Sequence, residues 1–264
     1  MLPNLVVIGA QKCGTSALHY YLDQHPEIGM SKPKELNFFI KKRNLERGLD
    51  WYESHFRADR KVLGEASPNY TNYPRFKGVA HRMHTVLPDA RLIYMVRDPI
   101  DRIVSAYLHN RNKGRIDAPL EEVVTARGST YLRRSRYHRQ VRRFMRYYPK
   151  SQLLIVERED LLDDRRETLA GVFRFLGVDD AFWTPKYEQL RHETPTKRPT
   201  TMGRVGRRVS PDLARRVQSR VTGAATVERP LVSEELRERL ATKLKPDTDR
   251  FREFAGREFA HWSV

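Results

Sequence analysis

Cysteine is almost missing from this chain: Cys13 is the only one in 264 residues. A lone thiol excludes an intramolecular disulfide framework and any zinc site built on cysteines. Long apolar runs are missing too, none approaching the ~20 residues needed to cross a bilayer. Acidic residues fall short of basic ones, 33 against 50, and the formal net charge is +17. Such an excess directs attention to anionic partners: nucleic acid, an anionic membrane surface or acidic ligands. The basic residues are dispersed and not gathered in a tail, which favours anionic small molecules or glycans over non-specific nucleic-acid binding. No internal repeat and no domain boundary is visible, so one domain over residues 1–264 is expected, long enough to bury a substantial core. The first strand candidate begins within a few residues of Met1, leaving no room for a signal or transit peptide. The expected location is therefore the cytoplasm, and the excess of arginine over lysine suggests a GC-rich bacterial source.

Residues 5–16 read LVVIGAQKCGTS. Four apolar residues predict a short buried strand, Gly9 ends it, and Gly14 precedes Thr15, Ser16 and a helix-like run to Leu22. A strand, a glycine-bounded turn and a helix start make a cradle for phosphate, because glycine lets the backbone approach an anion and the new helix presents free amides. The nucleoside-triphosphatase loop places lysine directly after its second glycine. Here Thr15 holds that position, and the lysine is Lys12, inside the loop. An ordinary βα turn that needs glycine for packing has the same pattern, so the loop alone decides nothing.

Further strands are predicted at 61–66, 91–97 and 152–156. Helices are predicted over 74–87, from Ile100 to about Arg111, over 129–148, and after Glu157 to about Leu176. Strands alternating with helices predict an α/β fold with a central parallel sheet flanked by helices. Residues 193–208, rich in Thr, Pro, Gly, Lys and Arg, read as a loop, and helical segments follow near 211–221, 233–244 and 247–256.

Two more features bear on chemistry. Residues 97–105 read RDPIDRIVS, with Arg97 at the carboxyl end of a predicted parallel strand, where α/β folds bind ligands. Ser105 lies two turns into the following helix, so both side chains can reach one phosphate; pairing of Arg97 with Asp98 or Asp101 is the competing reading. Glu35 stands beside Lys32 and Lys34 and ahead of the aromatic anchor Phe38-Phe39. By residue type alone it reads as a solvated surface acid several times more readily than as a base.

Taken together, these residues resemble the nucleotide-dependent sulfotransferases, which use 3′-phosphoadenosine 5′-phosphosulfate as donor. Residues 9–16 look like the family's 5′-phosphosulfate loop, and residues 91–107 like its 3′-phosphate motif. The resemblance implies a P-loop-kinase-like fold and a donor cradle of Lys12, Cys13, Gly14, Thr15, Ser16, Arg97 and Ser105. Residues 34–39, KELNFF, resemble the Lys-Glu-x-x-Phe-Phe segment of heparan-sulfate-type enzymes, which makes Glu35 the expected base. Residues 153–160, 175–178 and the stretch from Pro230 to Trp262 also resemble that group. One departure is Ala66, where heparan-type enzymes often carry lysine. The resemblance implies sulfuryl transfer to a hydroxyl or amine of a small molecule, glycolipid or carbohydrate, with the product 3′-phosphoadenosine 5′-phosphate and no metal. Lys12 would stabilise the leaving oxygen, while Lys197 and Arg198, in the basic loop, would cover the 3′-phosphate.

Competing bases are His19 and Glu65. A helix-opening, lysine-adjacent thiol is also a candidate nucleophile, but the expected chemistry does not need Cys13. A nucleotide kinase would want lysine at position 15 and a magnesium carboxylate. A nucleic-acid module would want aromatics interleaved with basic residues on an exposed platform. Neither pattern is found.

Overall fold

The structure, a computed structural model, describes residues 1–57, 59–189 and 229–264. Leu5–Gly9 forms β1 with all five residues buried, as a strand covered on both faces requires. Thr15–Leu22 is α1, Ile28–Met30 is β2 and Gly48–Glu53 is α2. Val62–Ala66 is β3, Val79–Val86 is α3, Arg91–Val96 is β4 and Pro99–Asn112 is α4. Three short helices follow: α5 (Leu120–Thr125), α6 (Thr130–Ser135) and α7 (Tyr137–Val141). Leu153–Glu157 is β5, then come α8 (Arg158–Asp163), α9 (Arg165–Leu176) and the long α10 (Glu234–Ala255).

The sheet has five parallel strands in the order β2-β3-β1-β4-β5. From β1 the chain moves outward to β2, returns through β3, then crosses to β4 on the other side. The carboxyl end of β1 is therefore the point where strand order reverses, the place where open α/β sheets leave a crevice for ligands. Gly9 is required at this end of β1, since an added Cβ would lie 1.9 Å from Thr71 Oγ1 and 3.0 Å from the Tyr94 ring. The main apolar core wraps the sheet. A second cluster joins α4, α5 and α6 to Leu236, Leu240 and Leu244 of α10.

The strands at 61–66, 91–97 and 152–156 and the helix from Ile100 are found within a residue or two of expectation. The Asp98 carboxylate accepts from the Asp101 amide at 2.8 Å and so caps α4, with Pro99 in the first turn. Three helical expectations are corrected. The helix expected over 74–87 starts only at Val79, because Gly78 takes a left-handed φ of 70°. The helix expected over 129–148 is broken after Ser135. Ser135 Oγ donates to the Pro99 carbonyl at 2.9 Å and accepts from the buried Arg102, and a new helix begins under a cap from far along the chain. Asp247 accepts from the amides of His138 and Arg139, both at 3.0 Å. The two helices expected at 233–244 and 247–256 are instead one, α10, with Pro246 inside it. Leu236, Leu240, Leu244, Thr248 and Phe251 form one buried stripe along α10, so packing across the proline outweighs the hydrogen bond it removes. Strand β2, three residues at the sheet edge, is too short for periodicity to show. The helix near 211–221 lies outside the described residues.

Asp247→Ala leaves two α7 amides without their acceptor and is expected to cost about 1–2 kcal/mol of stability. Urea denaturation followed by circular dichroism measures this, and an unchanged midpoint would show that Asp247 does not hold the break in place.

Candidate active site

The loop after β1 is tied to the sheet by the Ala10 amide, which donates to the Met95 carbonyl at 2.7 Å. Gly14 closes it at φ 88°, and a Cβ there would meet Met95 Cε at 3.3 Å and Arg158 Cγ at 3.5 Å. α1 then starts with no side-chain cap and no acid in its first turn, which leaves its leading amides for an entering anion.

This loop forms one wall of a cleft of about 1270 Å³ that also receives Glu35, Arg97 and Ser105. Lys12, Gly14, Thr15 and Ser16 all line it, so most of the residues singled out in the sequence meet in one space. Lys12 has a left-handed φ of 74°. Burial pulls its pKa down to about 8, and the charges of Lys113, Arg97 and Lys34 act in the same direction.

Arg97 is nearly buried at the end of β4. Its guanidinium bonds Asp101 Oδ2 at 2.8 Å, with Glu159 at 3.9 Å, while its carbonyl accepts from Tyr137 Oη at 2.9 Å. Its Nε is buried without a hydrogen-bond acceptor among the described residues. The competing reading of an internal pair with Asp101 is therefore found, in the same side chain that faces the cleft. Asp101 also takes Arg229 at 2.9 Å.

Glu35 lies at the rim. Lys34 Nζ is 3.5 Å from Glu35 Oε1 and 3.4 Å from Thr15 Oγ1, so it joins the acid to the loop. Lys34 itself is pulled below the usual lysine range by burial, with Glu35 opposing. Lys32 turns away to Asp23 at 3.2 Å. Of the two lysines beside Glu35 in sequence, only Lys34 thus pairs with it.

Glu65 is not in the cleft. It is fully buried, with Oε1 accepting from Tyr52 and Tyr70 at 2.7 and 2.8 Å and Oε2 from Ser67 at 2.6 Å. Burial raises its pKa, opposed by those three hydroxyls. The hydroxyls relay to the segment that carries Glu35. Ser67 Oγ accepts from the Asn37 amide at 2.9 Å, and Tyr70 Oη from the Phe39 amide at 3.4 Å. His19 is also outside the cleft's wall: its Nε2 bonds the Ser31 carbonyl at 3.1 Å, and burial lowers its pKa to about 4.

Cys13 is corrected. Its side chain is fully buried, with Sγ 3.5 Å from Tyr137 Oη, and its amide is spent on the Ala10 carbonyl. Burial raises the thiol's pKa, so neither thiolate chemistry nor a contact in the cleft is open to it. Lys197 and Arg198 lie outside the described residues.

Several residues of the cleft were missed. Arg158 follows β5 as Arg97 follows β4 and lines the same cleft, so its strand-end position was a usable signal. His109 and Lys113 follow Ser105 at helical spacing on α4 and also line it. Burial, then Lys12 and Lys113, hold His109 at a pKa of about 4. Arg43 and Arg75 gave no local signal, and Arg134 was legible only as part of the basic stretch 133–146, which reads first as an exposed helix face.

A family model described as "Sulfotransferase domain" matches residues 2–199. Over 198 residues the chain is 31% identical to the bifunctional heparan sulfate N-deacetylase/N-sulfotransferase 2 of Homo sapiens, covering 67% of this chain and 22% of that protein. The chain thus spans about a fifth of the length of that relative. Heparan sulfate glucosamine 3-O-sulfotransferase 3B1 of Homo sapiens is 28% identical over 239 residues, covering 83% of this chain and 60% of the other. Among solved structures, a sulfotransferase from Alicyclobacillus acidocaldarius superposes with a TM-score of 0.75 at 26% identity, covering 100% of both chains.

The depressed pKa of Lys12 carries a stability consequence. Its folded value, about 8, lies below the 10.5 of the unfolded chain, so the protonated lysine destabilises the empty fold, and raising the pH relieves that cost. Lys12→Gln is expected to melt higher than the parent at pH 7, with the gap shrinking as pH rises from 8 towards 10.5. Thermal melts across that range test this, and a variant that melts lower at every pH would overturn it.

Proposed function

Because the chain belongs to the sulfotransferase family, we propose that it moves a sulfuryl group from 3′-phosphoadenosine 5′-phosphosulfate to an acceptor hydroxyl or amine. The observation that carries this reading is the single cleft lined at once by Lys12, Ser16, Arg97, Ser105 and Glu35. Those residues come from three separate segments, and each has a role in the transfer.

Ser16 and the leading amides of α1 hold the donor's 5′-phosphate. Arg97 and Ser105 take the 3′-phosphate, the group that distinguishes this donor from ATP. Glu35 removes the proton from the acceptor as its oxygen or nitrogen attacks sulfur. The new bond to sulfur forms as the bond from sulfur to the bridging oxygen breaks, and 3′-phosphoadenosine 5′-phosphate leaves with the electron pair. Lys12, with Thr15, stabilises the charge that develops on that oxygen. Sulfuryl transfer, like phosphoryl transfer, depends mainly on position and electrostatics, and a crowd of cations around Lys12 suits that demand. The names of the relatives carry heparan sulfate and glucosamine, which supports a carbohydrate among the acceptors to be screened with labelled donor. Ala66 is fully buried and brings no cation to the acceptor.

Arg97→Ala and Ser105→Ala are expected to weaken donor binding first. Each lost charge-assisted contact of Arg97 is worth about 1.5–3 kcal/mol. Calorimetric titration with 3′-phosphoadenosine 5′-phosphate measures it, and unchanged affinity in both variants removes the assignment.

Glu35→Gln keeps shape while removing the base. Donor affinity is expected to survive while turnover drops about 10²–10⁴-fold. Single-turnover rates at saturating donor, measured across pH beside Glu65→Gln, decide the matter. If Glu35→Gln keeps normal turnover and the acidic limb of the profile while Glu65→Gln loses both, the base is not Glu35.

A further inference from the structure

Three of the guanidiniums that line the cleft and that the transfer chemistry leaves unused are Arg43, Arg75 and Arg134. Arg43 and Arg75 both lie over the Phe76 ring, each 5.5 Å from its centroid. Arg134 donates from Nε to Asn72 Oδ1 at 2.8 Å and from Nη1 to Gln11 Oε1. All three arginines and Phe76 line the same cleft as Glu35.

None of the three has a carboxylate within ion-pair distance among the described residues. The acids that line the cleft are Glu35 and Asp101, and both are engaged elsewhere. Glu35 faces Lys34, while Asp101 holds Arg97 and Arg229. The neutral amides of Asn72 and Gln11 orient Arg134 without neutralising it. Burial lowers the pKa of Arg134 to about 10, with Arg102, Arg75 and Arg43 pressing the same way, so these guanidiniums feel one another. Like charges held together at a cavity wall lower in energy when an anion enters, and guanidinium forks suit carboxylate and sulfate oxygens.

Topology separates Arg43 and Arg75 from the donor clamp, while Arg134, on α6 after β4, reaches their side through Asn72. Arg97 and Ser105 follow β4, and Arg158 follows β5. Arg43 and Arg75 come from the segments after β2 and β3, on the opposite side of β1. Glu35 belongs to that same side, on the segment after β2.

We propose that Arg43, Arg75 and Arg134 form an anion subsite for the acceptor, so that the chain selects acceptors carrying a carboxylate or sulfate ester beside the group to be sulfated. The proposal rests on the sulfuryl-transfer reading, and the test keeps the two apart.

Protein saturated with 3′-phosphoadenosine 5′-phosphate, which fills the donor's phosphate sites, is titrated with three probes. These are 4-methylumbelliferyl glucuronide, the matching glucoside, and 4-methylumbelliferyl N-acetylglucosaminide 6-sulfate. At least one anionic probe is expected to bind about tenfold or more tightly than the neutral glucoside, the equivalent of one charge-assisted contact. The stronger of the two identifies the anion. Arg134→Gln and the exposed Arg43→Gln and Arg75→Gln are expected to erase that preference while leaving nucleotide affinity unchanged. Equal binding of charged and neutral probes, or no binding of any, overturns the subsite. Loss of nucleotide affinity in Arg134→Gln or Arg75→Gln also overturns it, because the residues would then belong to the donor. If Arg134→Gln melts early, the two exposed variants carry the test alone. Failure of wild-type protein to bind the nucleotide counts against the donor reading, and equal probe affinities without nucleotide still count against the subsite.

Discussion

Positive charge crowded around the partly buried Lys12 is the constraint on which the rest of the site depends. Lys113, Arg97 and Lys34 all press on Lys12, which burial already disfavours as a cation. Left to itself such a cluster would spread apart, since like charges in a partly desolvated space repel strongly. The fold prevents this by anchoring each member to a different rigid element. Lys12 sits in a loop bolted to β4 by the Ala10 amide, Arg97 is gripped by Asp101 and by the Tyr137 contact to its own carbonyl, and Lys113 rides at the end of α4. The electrostatic cost is carried by the empty protein and recovered when a polyanion arrives. That is preorganisation: the donors point before the charge does.

A second device fixes the acid that faces this cluster. Glu65 is a carboxylate with no cation beside it among the described residues, held by three hydroxyls in a fully buried position. Such a group is costly to bury unless its hydrogen bonds are all made. Two of its donors in turn accept from the backbone at Asn37 and Phe39. The stacked pair Phe38 and Tyr52, with centroids 4.3 Å apart, adds an apolar clamp. The segment bearing Glu35 is thereby fixed from below while the Glu35 side chain stays at the rim. An irregular stretch between β2 and α2 gains the rigidity of the sheet beneath it.

The region after α10 plays a similar part on the other flank. Ser263 Oγ donates to Asp98 Oδ2 at 2.7 Å, the same carboxylate group that caps α4. Trp262 donates to the buried Glu157 at 2.5 Å and stacks on Phe251 and Phe259. Arg257 binds Asp160 at 2.7 Å. These contacts close over the ends of β4 and β5 and hold the turn from which Arg97 emerges.

What could be read from residue order alone follows from what is local. An apolar run before Gly9, a lysine inside a loop, and Asp98-Pro99 after a strand are short-range patterns, because strand burial, helix capping and left-handed turns depend on a few neighbours. Hence the parallel α/β fold, the β1 loop and the place of Arg97 at the end of β4, just ahead of the helix that bears Ser105, were all legible. The breaks and joins were not. The helix ends at Ser135 because Asp247, more than a hundred residues away, caps the next one. α10 runs through Pro246 because its buried stripe is continuous against distant helices. Roles were hidden for the same reason. Glu65 and Glu35 are both glutamates near aromatic residues, and only burial separates the one that supports from the one that faces the cleft. Cys13 follows a loop lysine, yet packing against Tyr137 turns it inward. Arg43, Arg75 and Arg134 stand far apart in the chain and share a wall only because the β2–β3 side folds toward α6. Local chemistry determined which elements form; burial and long-range contacts, which no single segment encodes, decided where they stop and which side chains meet.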